Sequence, residues 1–530
     1  MSSTIDPKTS MHRLTVAASV VSGATFVSRV LGYIRDMLIA HGFGAGLAAD
    51  AFFVAFRIPN MARELLGEGA LSAAFIPVFT ETLTKRGRPS AFRMAAAAFW
   101  MLSLILVVIC AVGIVSAPIL VNLMALGWRV DPEKLALTID LTRMMFPYLF
   151  FIGLTALMMG ILNALGHFAA PAFSPALLNI SIIVSLLVLG PRLEKPVYAL
   201  AYGVLGGGCL QLLFQFPPAL RRGVILTRKG EWRDPALPRI GRLMAPGVAG
   251  LASTQLNIFI TTLLATFLVQ GSVSYLYYAF RLIHVPIGLV GVAMATAVLP
   301  TMAAAAAQQS PEDVRKTLVF ALRFSLFLTV PALLGLAIYR HTIIRLLFER
   351  GEFTGAATAA TAQVLLGYSL GLCFFVVNRV LVRAFYAFQD TVTPVKAGAI
   401  AVASNIVFSL LLMRPLQATG LAVATSLASM VNFSLLVVFL RKRLGSLGGG
   451  VLARSLQKTA LAGLCMAGTL LALQILLPSL EGRGVGLEIT RFVGELGLGM
   501  AVFFAAAASL GCEEVRLLKS LIQGGLRGKG

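Results

Sequence analysis

The chain is poor in charge, and poorest in acidic charge. Of its 530 residues 12% are charged, with 22 Asp and Glu against 44 Lys and Arg, whereas a soluble domain carries about 25% charged residues. That figure excludes an ordinary soluble domain. Cysteine and histidine are scarce too, five of each. Cys110, Cys209, Cys373, Cys465 and Cys512 lie far apart in apolar or terminal contexts, without C-x-x-C or Cys/His ligand spacing, so they read as packing residues. The histidines are equally scattered, and neither a metal site nor a cofactor is expected. The N-terminal stretch MSSTIDPKTSMHR is too polar for a signal peptide and no small-residue cleavage pattern follows, so the first apolar helix is expected to be retained.

What the chain has is apolar length. It is 58% hydrophobic with a mean hydropathy of +0.88, and runs long enough for a bilayer core, about 20 residues each, recur throughout. Spans are expected at 14–40, 48–83, 93–121, 134–163, 171–190, 196–220, 240–269, 273–305, 316–338, 356–388, 392–413, 416–440, 452–478 and 488–510. The expected fold is therefore all-α and polytopic, with about fourteen transmembrane helices. Several spans exceed a perpendicular crossing, which implies tilt, or breaks at residues such as Gly32, Pro59 or Pro286. The segment 341–353 is too short and too charged to span and reads as an amphipathic helix on the outer surface.

The net charge of +22 raises nucleic acid as a partner, but the basic residues are spread over short connections, so they read as topology signals and no nucleic acid is expected. One set of alternate loops holds Lys85, Arg86 and Arg88; Arg221, Arg222, Arg228, Lys229, Arg233, Arg239 and Arg242; Arg315 and Lys316; and Arg441, Lys442 and Arg443. By the positive-inside rule these loops and both termini face the cytoplasm.

An internal repeat divides the chain. AFRIPNMARELLGEGALSAAFIPVF, with Arg57 and Pro77, is answered by AFRLIHVPIGLVGVAMATAVLPTM, with Arg281 and Pro300, at offsets of 224 and 223 residues. ALGHFAAPAF around Pro171 is answered by AFQDTVTPVK around Pro394, again 223 apart. Six helices per repeat gives halves of the same orientation. The expectation is two six-helix lobes, 1–222 and 223–445, around a central cavity, with 446–530 adding two helices and a cytoplasmic tail. That is an alternating-access transporter rather than an enzyme.

Within the first lobe, residues 29–63 carry Arg29, Arg35, Arg57 and Arg63 beside Asp36, Asp50 and Glu64. An arginine at the centre of a membrane helix costs on the order of 2.5–3.5 kcal/mol on insertion scales, so such a cluster must face water, a partner or a ligand. Arg29 and Arg35 address one cavity only if the helix bends at Gly32. Asp50 and Arg57 share a helical face, and Pro59 with Asn60 is placed to break the helix before Arg63. In the second lobe Arg281, His284, Gly288 and Gly291 form a stripe at helical spacing, while Asn378, Arg379 and Arg383 are the polar residues of their helix. Two readings stand: the arginines pair with the nearby carboxylates or snorkel, or they await an anion, whose phosphate oxygens a guanidinium fork matches. A carboxylate-based enzyme on polyprenyl phosphates, using Asp36, Asp50, Glu64 and Glu68, is the other chemistry these residues allow; salt bridging is their alternative role. A non-transporting scaffold would have no reason to bear the arginines' insertion cost.

The runs RVLGYIRD, FGAGLAADAFFVAFRIPNMARELLGEGALSAAFIPVF and FYAFQDTVTPVK resemble the MurJ (MviN) family, lipid II flippases of the multidrug/oligosaccharidyl-lipid/polysaccharide exporter superfamily, over essentially the whole chain. The resemblance implies a bacterial inner-membrane flippase that moves undecaprenyl-pyrophosphate-linked disaccharide pentapeptide outward for peptidoglycan synthesis, among membrane lipids and alongside cell-wall synthesis or division proteins. It assigns substrate contact to Arg29, Arg35, Arg63 and Arg281, and cavity or gating positions to Asp36, Asp50, Arg57, Glu64 and His284. His284 stands where family members carry an acidic residue. Val382, four after Asn378, removes a sodium site described in some members. A cation-coupled multidrug or polysaccharide-lipid exporter of the same superfamily is the alternative, and it would want acidic cavity residues. The two added helices are expected either to wall a groove for the polyprenyl tail or to pack passively.

Overall fold

The computed structural model describes residues 7–64, 71–226, 234–477 and 484–527. Glu68 of the carboxylate set and Arg228, Lys229 and Arg233 of the basic loops lie outside the described residues. The described chain is helical, and no strand occurs in it. Its contacts fall into two compact units, Met1–Val273 and Ser274–Gly530.

The first unit holds α1 (Pro7–Phe43), α2 (Leu47–Arg63), α3 (Ser72–Met124), α4 (Pro132–Met145), α5 (Tyr148–Ala164), α6 (Ala169–Val188), α7 (Tyr198–Leu220) and α8 (Ala236–Ala265). α1 is helical through Gly32, and α2 runs on through Pro59 and Asn60 to Arg63, so neither residue breaks its helix. The breaks come elsewhere. α3 contains 53 residues but leaves helical geometry at Gly87, with φ 76°. Thr82 Oγ1 lies 3.6 Å from Met94 Sδ across that point. Twelve residues of straight helix would hold them about 18 Å apart, so the chain reverses there and α3 is two spans. The expected span 134–163 divides into α4 and α5 before Pro147. The start of α4 is built by Asp131, whose carboxylate accepts from Lys134 N at 3.1 Å ahead of Pro132, an N-cap with proline in the first turn.

α6 and α7 pack at close range because α7 presents glycines one turn apart. A Cβ on Gly203 would lie 2.6 Å from Ile182 Cα, and one on Gly207 2.9 Å from Leu178 Cα. Without a hydrophobic drive inside lipid, such backbone approach is how membrane helices gain dispersion energy. α8 packs on α3: Arg239 Nη1 near its start is 2.8 Å from Glu81 Oε2, and at its far end Gly127 N, in the turn that follows α3, donates to Thr266 Oγ1 at 3.1 Å.

The second unit holds most of α9 (Ser272–Pro286), then α10 (Ala293–Ala307), α11 (Pro311–Ile338), α12 (Arg340–Phe348), α13 (Gly355–Ser369), α14 (Leu372–Ala387), α15 (Val392–Leu444), α16 (Gly449–Leu476), α17 (Val485–Ser509) and α18 (Glu513–Arg527). A π turn, Ile287–Val292, joins α9 to α10 immediately after Pro286. α15 turns back at Gln417, φ 51°, for Asp390 just before its start lies 3.5 Å from Arg443 at its far end. α12 is the short amphipathic helix expected near 341–353, burying Ile344 and Phe348. α18 was not foreseen as a helix. Glu513 and Glu514 at its start hold Arg323 of α11 at 2.9 and 2.8 Å.

By length and composition, nine helices among the described residues can cross a membrane, or ten if α13 and α14, bent by 42°, count as one. Dividing the 53-residue α3 and α15 raises ten to twelve, and fourteen spans are consistent with this once α1 and α8 are counted as well. The repeat persists in the backbone. Left-handed positions recur at Gly87 and Gln309, 222 apart; at Gly166 and Gln389, 223 apart; and at Gly223 and Gly445, 222 apart. At the second pair even the turn bonds match: His167 N donates to Leu162 O at 2.8 Å, and Asp390 N to Phe385 O at 3.0 Å, the six-to-one bond that ends a helix on a left-handed residue.

Candidate functional site

The intramembrane charges of the first unit sort into three hydrogen-bonded groups. In the first, Arg35 of α1, 7% exposed, donates through Nε and Nη2 to Asp36 Oδ1 at 3.0 and 2.6 Å, and through Nη1 to Asn179 Oδ1 of α6 at 3.0 Å. Asn179 returns its amide to Ser28 O at 3.0 Å, so one side chain of α6 joins two levels of α1. Asp36 therefore holds Arg35, its neighbour in the chain. Arg29, two turns earlier, is exposed, so one helix offers one guanidinium turned inward and one outward.

The second group centres on Asp50, 1% exposed near the start of α2. Its Oδ2 accepts from Lys134 Nζ at 2.8 Å and from Gly271 N at 2.8 Å. Lys134, itself 3% exposed, also stands 4.1 Å above the Trp128 ring. Asp50 thus meets a lysine that reading the arginine cluster alone passes over. The signal was present: Lys134 stands in the first turn of α4, directly behind the Asp131-Pro132 cap and at the start of the expected span 134–163.

The third group lies at the end of α2. Arg63 Nε donates to Asn60 Oδ1 at 2.9 Å and approaches Glu64 Oε1 at 3.8 Å; Asn60 Nδ2 donates to the same Glu64 oxygen at 2.9 Å; and Gln255 Nε2 of α8 donates to Glu64 Oε2. Asn60 thus orients the Arg63 guanidinium through Nε. Arg57 sits half-buried between the second and third groups on α2.

In the second unit Arg281 is half-buried on α9, and His284 is exposed with its ring 4.4 Å from Phe280. The expected stripe from Arg281 to Gly291 does not continue at α-helical spacing. The π turn adds a residue to the turn, and a Cβ on Gly291 would meet Val376 Cα at 3.4 Å and Arg379 Cδ at 3.3 Å, against α14. Asn378 donates to Ser429 O at 2.9 Å and to its Oγ at 3.0 Å, tying α14 to α15. Among the described residues no three His, Cys, Asp or Glu side chains come together as a metal site.

Residues 39–481 match the family model described as lipid II flippase MurJ. The chain belongs to the MurJ family. The MurJ segment contains Asp50, Arg57, Arg63, Lys134 and Arg281, while Arg29, Arg35 and Asp36 precede it and α17 and α18 follow it. The chain is 36% identical to a protein of Vibrio cholerae serotype O1 named "Probable lipid II flippase MurJ", over 94% of this chain and 96% of that one. Among solved structures it resembles a lipid II flippase MurJ in an inward closed conformation, with a TM-score of 0.75 and 26% identity over 92% of this chain and 98% of the other. An inward-facing multidrug resistance transporter of the MATE family, itself of the MOP superfamily, shares the fold at a TM-score of 0.66 and 16% identity, over 81% of this chain and 98% of its own. MurJ membership and an all-helical membrane fold thus stand together.

Proposed function

We propose that this chain is a flippase that carries lipid II, an undecaprenyl-pyrophosphate-linked disaccharide pentapeptide, from the inner to the outer leaflet of the bacterial cytoplasmic membrane by alternating access, for cell-wall synthesis. Membership of the MurJ family is the observation that carries the reading. The chemistry of the charged groups supports it. A pyrophosphate needs charge-assisted donors, and the arginines are guanidinium forks suited to its oxygens. Arg29 is exposed, and Arg63 is oriented through Asn60. Arg35 is held by Asp36 and Asn179, so it meets substrate only when one of them lets go, or else it acts by holding α1 to α6. Arg281 is assigned to the same anion from the second unit.

Orientation follows from the basic loops, with both termini cytoplasmic. The repeat units, 1–222 and 223–445, supply the two halves of the transport cycle, and 446–530 is an addition. Cell-wall synthesis or division proteins are partners in this reading. The carboxylate-enzyme reading loses ground, because Asp36 and Asp50 are both engaged by cations. The test is translocation of labelled lipid II into vesicles containing the purified chain. Arg29→Ala with Arg281→Ala is expected to abolish flipping at unchanged membrane level. Unimpaired flipping by that double variant would overturn the assignment, and release of phosphate from lipid II would favour the enzyme.

A further inference from the structure

A second cationic place lies away from all of these residues, inside the second unit. A cavity of about 510 Å³ opens where α11 ends, α12 begins and α16 ends. Its polar wall is Arg340, His341 and Thr342, the first turn of α12, with Gln474 of α16; its apolar wall includes Leu366 of α13 and Leu471 of α16. Among the described residues no carboxylate lines it. Arg340 Nη1 donates to Ala337 O at 2.7 Å, which holds the guanidinium at the cavity wall. The other arginine of α12, Arg345, is spent elsewhere, 3.0 Å from Glu488 of α17.

The apolar side is continuous with a lipid-facing surface. Leu471 is 48% exposed and its neighbours Ile475 and Leu476 are 82% and 78% exposed on a helix long and apolar enough to span. Three exposed aliphatic residues in six, at the end of such a helix, face acyl chains rather than water. The polar groups lie at the helix ends, at the opposite end of α11 from Arg315 and Lys316, and so, by the positive-inside rule, at the outer leaflet.

We infer that this cavity binds an anionic phospholipid of the outer leaflet, its phosphate against Arg340, His341 and Thr342 and an acyl chain along Leu366 and Leu471. The juxtaposition of a basic wall with an open apolar wall is what a lipid phosphate requires and what a free ion does not. A basic pocket between membrane helices is a known form of lipid headgroup recognition. The site is remote in sequence from the arginines assigned to lipid II, and its test does not read flipping, so the two proposals fail separately.

The experiment is native mass spectrometry of the full chain, purified in mild detergent and offered equal amounts of phosphatidylglycerol and phosphatidylethanolamine. Phosphatidylglycerol adducts are expected to predominate. Arg340→Gln should reduce that preference roughly fivefold, the equivalent of about 1 kcal/mol for one basic residue at an anionic surface. Arg350→Gln removes the same charge from an exposed residue outside the cavity and should leave the preference unchanged. Thr342→Trp keeps every charge but fills the space, and should lose the adducts, which covers the case that Arg340→Gln fails to fold. An equal preference in Arg340→Gln and the parent chain would overturn the proposal. So would an equal fall in Arg350→Gln, which would mean diffuse surface charge. Displacement of the lipid by millimolar inorganic phosphate would also overturn it, in favour of a free-anion site.

Discussion

Asp50 and Lys134 show what one buried pair demands. Both are almost wholly sequestered, and the carboxylate oxygen that takes the ammonium also takes the Gly271 amide. Removing one partner of such a pair leaves a buried charge and costs about 3–5 kcal/mol, whereas replacing both can be nearly neutral. Lys134→Met should therefore unfold at clearly lower temperature in detergent. Lys134→Met with Asp50→Asn keeps a carbonyl acceptor for Gly271 and no charge, and should recover most of the loss. Equal unfolding temperatures for the single and double variants would show that the pair is not what the residues contribute. At this scale the sequence was half legible. Asp36 and Arg35 are chain neighbours, and their pairing was one of the two readings the sequence left open. Lys134 and Asn179 reach Asp50 and Arg35 across 84 and 144 residues, a proximity no local pattern encodes.

Among the elements, the helical hairpin within α15 closes at its mouth. Asp390 accepts from Thr393 N at 3.0 Å and Thr393 Oγ1 at 2.8 Å, capping the first arm, and lies 3.5 Å from Arg443 on the second. The Thr393 amide first, and then its hydroxyl and the Arg443 guanidinium, hold the Asp390 carboxyl below the usual carboxylate range. A carboxylate whose folded pKa is lowered stabilises the fold above its unfolded value, about 3.9, and loses that contribution as pH falls through the lower folded value. The stability difference between the parent chain and Asp390→Ala should thus be full near neutrality and shrink below about pH 4. A difference that persists unchanged at lower pH would assign it to something other than the charge. Helix positions were legible because apolar runs of bilayer length leave little choice. The turns at Gly87 and Gln417 fall where the expected spans part, near 83–93 and 413–416, whereas the break at Pro147 lies inside the expected span 134–163. Gly32 and Pro59 break nothing, since a proline or glycine is permissive of a break and tertiary packing decides whether one occurs.

For the whole molecule the excess of basic over acidic charge inside the membrane bears on energy coupling. A charge that traverses the membrane field gains about 2.3 kcal/mol per 100 mV, and the first unit alone holds Arg29, Arg35, Arg57 and Arg63 within its first two helices. Collapsing the membrane potential at constant pH gradient should slow lipid II translocation; an unchanged rate would leave the arginines a binding role only. The duplication also reaches past residue identity. Where the first half bends at Gly87 and Gly166, the second bends at Gln309 and Gln389, with φ of 54° and 58°. A side chain forced into that left-handed conformation costs on the order of 1 kcal/mol that glycine escapes. The halves are congruent in curvature yet unequal in tension: one relaxes at its bends, while the other stays sprung at the same two places.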